Sequence, residues 1–278
     1  MTNFIVPIDF SETSKNAARF AAHLTTLVND AHLILYNVFD SLETGSDSSP
    51  LSSDAEEDAG RKIIMELALQ SVKTELSAIT GVRITCVAEE NSHFLDTLEK
   101  YVRNNDIQLI IMGITGATRL GQIFMGSNTL NIVKRGIVPV IIVPPDARSE
   151  SAKNVMLLTD FQDIENTIPI KSVKAVLDLF KPSLHVVNVD HEHYVELTEE
   201  YKAERVKLEN MLAGYNPEFS FIRMFDFVEA ANQFVVDRNI DLIMTFPRKH
   251  SFLSNVFKTT NTTKLAYHSH VPIVAITA

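Results

Sequence analysis

Gly113-Ile-Thr-Gly116, nine further residues and then Gly126-Ser127-Asn128 form the spacing in this chain best suited to chemistry. The chemistry is anion binding. Glycines let the backbone approach a ligand closely, and the unpaired N–H groups and dipole of a helix start favour negative charge. Glycines also serve ordinary turns, so context carries the reading. The apolar run Leu109-Ile-Ile-Met112 precedes the first glycine, and the helix-like Thr129–Arg135 follows Asn128. A buried strand thus enters a glycine-punctuated loop that ends at a helix start, which is the geometry of a phosphate cradle.

Other reactive types offer less. Cys86 stands alone between Ile84 and Val87 in a strand-like run, as a small buried hydrophobe suited to a reducing compartment. His191-x-His193 beside Asp190 and Glu192, and His268-x-His270 before the last strand, lack a second pair at metal-site spacing, so no metal site is expected. No lysine of the Walker type follows the glycines, and no Ser-His-Asp order or nucleophile elbow appears. No catalytic residue can be named. Arg119, within the nine-residue stretch, reads as a solvated loop charge.

The elements that position these residues are written twice. Phe4–Phe10 returns as Val155–Phe161, carrying Asp9 and Asp160 with it. Asn37-Val38 returns as Asn188-Val189, each asparagine 28 residues after its aspartate. Asp106–Ile111 returns as Asn239–Met244, and Val138-Pro139 returns as Val271-Pro272. In each half, short Ile/Leu/Val runs without alternation are separated by amphipathic stretches. Strands buried on both faces and joined by helices must be parallel. The expected fold class is α/β, with two tandem doubly wound domains, each a five-stranded parallel sheet flanked by helices.

Strands are predicted at 4–8, 33–38, 83–88, 109–112 and 138–143, with helices at 14–28, 56–78, 94–104 and 128–135. The second half has predicted strands at 154–158, 184–189, 219–224, 241–245 and 272–276, and helices at 167–180, 195–212, 228–238 and 260–267. Pro144-Pro145 and the polar run to Ala152 form a linker, which gives domains at 1–145 and 153–278. The Ser- and acid-rich stretch 40–54 reads as a mobile loop, either a surface insertion or a lid.

The chain has 278 residues, 45% of them hydrophobic and 22% charged, which is ordinary for a globular protein of two domains. A net charge of −10 argues against a nucleic-acid backbone or an anionic membrane as partner. The opening Met1–Asp9 reads as a strand and not as a signal peptide, and no apolar run is long enough to cross a membrane. A cytoplasmic protein is expected.

Val6-Pro7-Ile8-Asp9, Met112-Gly113-x2-Gly116-x9-Gly126-Ser127-Asn128 and the closing Val138-Pro139-Val-Ile-Ile-Val143 together resemble the universal stress protein family, in a tandem form that covers essentially the whole chain. The resemblance implies a protein that binds ATP, with or without Mg²⁺, at the carboxyl ends of the strands. It implies that Asp9 lies at the nucleoside and that Val38 contacts adenine through its backbone. It places Met112 at the base or ribose, and Gly113, Gly116, Gly126, Ser127 and Asn128 around the phosphates. Asp9 and Ser127 also suit helix N-caps, and Asn128 suits helix surface.

In the second half the corresponding positions are Phe246, Lys249, Thr259, Thr260 and Asn261, so all three glycines are lost. A degenerate second site is expected, although Arg248-Lys249-His250 offers charge where backbone N–H groups are missing. The resemblance further implies an intrachain pseudo-dimer or a homodimer through the final strands, in a nucleotide-responsive stress protein. The alternatives are an adenine-nucleotide hydrolase, against which the absence of a glycine just after the first strand counts, and an interaction module with no nucleotide.

Overall fold

The computed structural model describes residues 1–40, 54–114, 126–145, 147, 151–190, 198–223, 227–246 and 270–277. The chain divides into two compact units, Met1–Met112 and Gly113–Ala278. The doubly wound α/β class predicted from the alternation of apolar runs and amphipathic stretches is the class the chain adopts.

In the first unit β1 (Thr2–Pro7), α1 (Glu12–Thr25), β2 (Ala31–Phe39), α2 (Asp54–Leu76), β3 (Arg83–Glu90), α3 (Phe94–Asn104) and β4 (Ile107–Gly113) follow in turn, β4 ending at the boundary. The strand order is β3-β2-β1-β4, and every pairing is parallel. Phe4, Ile5, Leu33, Leu35, Leu109, Ile110 and Ile111 are wholly buried, as unalternating strands covered on both faces must be. Helix α1 turns Ala17, Ala18, Ala21 and Ala22 inward. Side chains that small let its backbone lie close against β1 and β2.

The second unit contains α4 (Ser127–Arg135), β5 (Val140–Val143), β6 (Asn154–Leu158), α5 (Ile164–Thr167), α6 (Ile170–Phe180), β7 (Ser183–Asp190), α7 (Glu199–Met211), β8 (Glu218–Arg223), α8 (Phe227–Asp237), β9 (Leu242–Thr245) and β10 (Ile273–Ala275). Its strands run β5-β10-β9-β6-β7-β8. All neighbours are parallel except β5 and β10, the closing strands of the two sequence repeats, which pair antiparallel from Ile142↔Ile273 to Val140↔Ala275. Strand β5 is grouped with the second unit.

The helix predicted over 167–180 is α6, which begins only at Ile170 after its N-cap Pro169, and a separate short helix α5 lies before it. The predicted strand at 138–143 starts only at Val140, just after Pro139. The helix expected at 260–267 and all of the loop 40–54 except Asp40 and Asp54 lie outside the described residues.

The duplication seen in the sequence recurs in the backbone. Phe10 and Phe161 (φ 64° and 51°), Asp30 and Lys181 (55° and 49°), and Asp106 and Asn239 (48° and 49°) are matched pairs of left-handed residues. For a bulky phenylalanine that conformation costs about 1–3 kcal/mol, so finding it twice at matching positions marks an inherited turn. Side chains repeat as well. The amide of Asn3 donates to the Asp106 carbonyl at 3.1 Å and that of Asn154 to the Asn239 carbonyl at 3.1 Å. The backbone N–H of Asn3 donates to Gln108 Oε1, and that of Asn154 to Asp241 Oδ2.

Candidate functional site

The strand order of the first unit reverses between β1 and β4, since β2 and β3 lie on one side of β1 and β4 on the other. In open α/β sheets ligands occupy the crevice beyond the carboxyl ends of the strands at such a point. Asp9 follows the end of β1, and Met112, 8% exposed, is the penultimate residue of β4. Val38 is half-buried near the end of β2. All three residues predicted to face the nucleoside thus stand on the carboxyl edge of one sheet.

Asp9 is exposed, and it is not the helix cap. The N-cap of α1 is Ser11, whose hydroxyl accepts the N–H of Ser14 at 3.2 Å. Asp9 Oδ1 in turn accepts the N–H of Ser11 at 3.0 Å and its hydroxyl at 2.6 Å. The carboxylate therefore orients the cap, while its second oxygen has no protein hydrogen bond among the described residues. Partial burial alone raises the Asp9 pKa, but the Ser11 hydroxyl and amide, with the nearby Ser14 hydroxyl, outweigh it and hold the group below the ordinary aspartate range. Asp9 is an anion at neutral pH with one oxygen available.

In the second unit α4 begins at Ser127, and its N-cap is Gly126 with no side-chain cap bond. Ser127 is thus the first helical residue, which corrects its reading as a cap. Ser127 and Asn128 are exposed, and the first backbone bond of the helix runs from Leu130 N–H to the Gly126 carbonyl at 3.1 Å. The N–H groups before it have no intrahelical acceptor, as at any α-helix start. Thr129, buried and unremarked in the sequence, directs its hydroxyl to the Gly113 carbonyl at 3.4 Å. Gly116 lies outside the described residues, as do Arg119, Arg248, Lys249, Thr259, Thr260, Asn261, His191, His193 and His268. Among the described residues no group of three His, Cys, Asp or Glu is arranged to hold a metal ion. No helix there is long and apolar enough to cross a membrane.

The same edge of the second unit is filled. Phe246, at the position matching Gly113, is 1% exposed, and Phe161 is 2% exposed. Phe161 stacks on Phe221 with ring centroids 5.3 Å apart and meets Tyr201 and Phe219 at 6.0 and 6.2 Å. Asp160 is 8% exposed, whereas Asp9 is open to solvent. Phe246 and Phe221 stand where the first repeat has Gly113 and Ala88, whereas Phe161 matches Phe10.

Ser11, not singled out by its type or spacing, is the group that sets the Asp9 carboxylate. Its signal was the run Asp9-Phe-Ser-Glu-Thr-Ser14, in which a hydroxyl follows the acid by two residues.

The family model described as "Universal stress protein family" matches residues 1–144. Universal stress protein MJ0577 of Methanocaldococcus jannaschii is 24% identical over 151 residues, covering 50% of this chain and 92% of that protein. The crystal structure of a universal stress protein from Archaeoglobus fulgidus is similar over 99% of this chain and 98% of its own, with a TM-score of 0.69 at 17% identity. A protein of unknown function from Pseudomonas aeruginosa PAO1, PA1789, covers 100% of this chain and 92% of its own, with a TM-score of 0.57 at 12% identity. These last two likenesses speak for the fold along the whole chain, and the family match covers the repeat that retains the glycines. The chain belongs to the universal stress protein family.

Proposed function

We propose that this chain binds an adenine nucleotide, ATP with or without Mg²⁺, through its first repeat, and that occupancy alters its conformation or its partners in a stress response. The observation that carries this reading is the carboxyl edge of the first sheet. There Asp9 keeps a free carboxylate oxygen beside a strand-order reversal, the arrangement a ribose hydroxyl suits. Gly126, with no capping side chain at the start of α4, supports a phosphate role for Gly113, Gly116, Gly126, Ser127 and Asn128. Val38 and Met112 complete the set on the base side.

The reading divides the chain into repeats at 1–145 and 153–278, the second without a nucleotide. Burial of Phe246 at the position of Gly113 supports that division of labour. A cytoplasmic location is part of the proposal, in keeping with a free, half-buried Cys86. Titration calorimetry of the full chain with ATP and Mg²⁺ tests the proposal, and one site per chain is the expected result. Mass spectrometry of the small molecule released from the natively purified protein checks the ligand class. A chain that takes up no adenine nucleotide at millimolar concentration ends the proposal.

A further inference from the structure

We propose that Asn37 is a positioning residue that holds the backbone of Val38 open, so that its N–H and C=O are presented to a base edge. The idea rests on the nucleotide reading for its ligand, but the device itself lies wholly in the first unit. In a parallel ladder the N–H and C=O of successive residues point alternately to the two neighbouring strands. Tyr36 faces β1, because its carbonyl accepts the N–H of Ile8 at 2.8 Å. Phe39 faces β3, because its carbonyl accepts the N–H of Asn91 at 3.0 Å. Val38 therefore faces β1, and its next ladder partners are the Ile8 carbonyl and the Phe10 N–H.

Neither bond forms. The register between β1 and β2 stops at Pro7↔Tyr36, although β2 continues to Phe39. The Ile8 carbonyl is instead taken by the Asn37 side-chain amide at 2.7 Å. Phe10, with φ 64°, turns the chain away before its N–H reaches Val38. Asn37 is 6% exposed, and its Oδ1 has no hydrogen-bond partner among the described residues. A buried amide that leaves its acceptor unsatisfied incurs a cost, so the bond to Ile8 is retained against that cost.

The second repeat copies the device. Asn188 Nδ2 donates to the Thr159 carbonyl at 2.9 Å, the Thr159 N–H donates to the Val187 carbonyl at 3.1 Å, and Phe161 turns away at φ 51°. There Val189 is 6% exposed, whereas Val38 is half-buried. In the first repeat the freed N–H and C=O of Val38 match adenine, which offers one ring-nitrogen acceptor beside an amino donor. Guanine presents the reverse pair on the same edge, so the opened backbone selects the base as well as binding it.

Amide hydrogen exchange on the full chain, without ligand, reads the device directly. The Val38 N–H is expected to exchange freely in the native protein, and in Asn37→Ala to close on Ile8 and slow by about tenfold or more. Isothermal titration then separates base from phosphate. Asn37→Ala is expected to lose about tenfold in ATP affinity, roughly one hydrogen bond, and to narrow the preference for ATP over GTP. Tripolyphosphate binding should be unchanged. Asn188→Ala removes the twin bond at a similar structural cost and should leave ATP binding intact. A Val38 amide protected in the native apo protein overturns the inference, as does Asn37→Ala with native ATP affinity and native base preference. If the native chain binds no ATP, the nucleotide reading fails and the exchange result alone decides whether Asn37 opens the ladder.

Discussion

His32 shows how far one buried side chain can be assigned from its neighbours. Asn3 donates through Nδ2 to the carbonyls of Asn105 and Asp106, so its Oδ1 is the atom that faces His32 Nδ1 at 3.1 Å. An amide oxygen only accepts, and Nδ1 therefore carries the proton. Nε2 is left to accept from Thr85 Oγ1 at 2.8 Å, and the ring is neutral. Burial, with the Arg83 charge adding to it, pushes the imidazole below its ordinary 6.5. A depressed histidine value means that the unfolded chain binds the proton more tightly. The stabilisation is thus complete above 6.5 and lost as pH falls through the lower folded value. Urea unfolding of the native chain should show its midpoint falling between pH 7 and pH 5, and His32→Leu should make that fall shallower. The variant should also be less stable at pH 7 by about 1–3 kcal/mol, because Asn3 and Thr85 lose their partner. An unchanged pH slope would show that folding does not change the proton affinity of His32.

At the scale of elements, α4 offers two changes whose effects can be told apart. Ser127 is the first helical residue, exposed, with no capping side chain before it. An acid there favours the positive end of the helix dipole and repels a phosphate. Ser127→Asp should therefore stabilise the fold by about 0.3–1 kcal/mol while weakening ATP binding about fivefold, the effect of one like-charge contact near the surface. Thermal unfolding and titration on the same sample must move in opposite senses. If both improve, the phosphates do not lie at this helix start. At the other end Gly136 closes α4 at φ 59°, with its N–H on the Val133 carbonyl at 3.1 Å. A Cβ is disfavoured in that conformation, so Gly136→Ala should cost about 1 kcal/mol, read as a lowered urea midpoint.

Across the whole molecule the two repeats keep one backbone plan and spend their carboxyl edges differently. The matched left-handed residues and the paired asparagine bonds persist, while the second edge carries Phe246 and Phe221 where the first has Gly113 and Ala88. Phe246 at 1% exposure is packed core. Phe246→Ala should cost about 3–5 kcal/mol, measured by denaturant unfolding, and should leave the nucleotide stoichiometry at one per chain. A second site appearing in that variant would show that the ring blocks a competent pocket, and is more than a filler for one that no longer functions.

Much of this was legible in the residues themselves. Strand and helix identities follow from local periodicity, and α3 was predicted with the same bounds that it has in the structure. The start of α6 lies three residues later than its predicted start, because Pro169 stands at its N-cap and fixes the boundary. Asp9, Val38 and Met112 stood out by their place at strand ends, which chain order alone supplies. Which residue caps α1, which side of β2 Val38 faces, and whether the final strands pair within the chain or between two chains were not legible, because each depends on a partner distant in sequence or on the direction of a hydrogen bond. The sequence by itself determined the repeated α/β plan, since burial patterns and glycine spacing are written locally. Tertiary structure alone decided which backbone groups are left unpaired, because a hydrogen bond is lost only when its intended partner has been brought near and taken by something else.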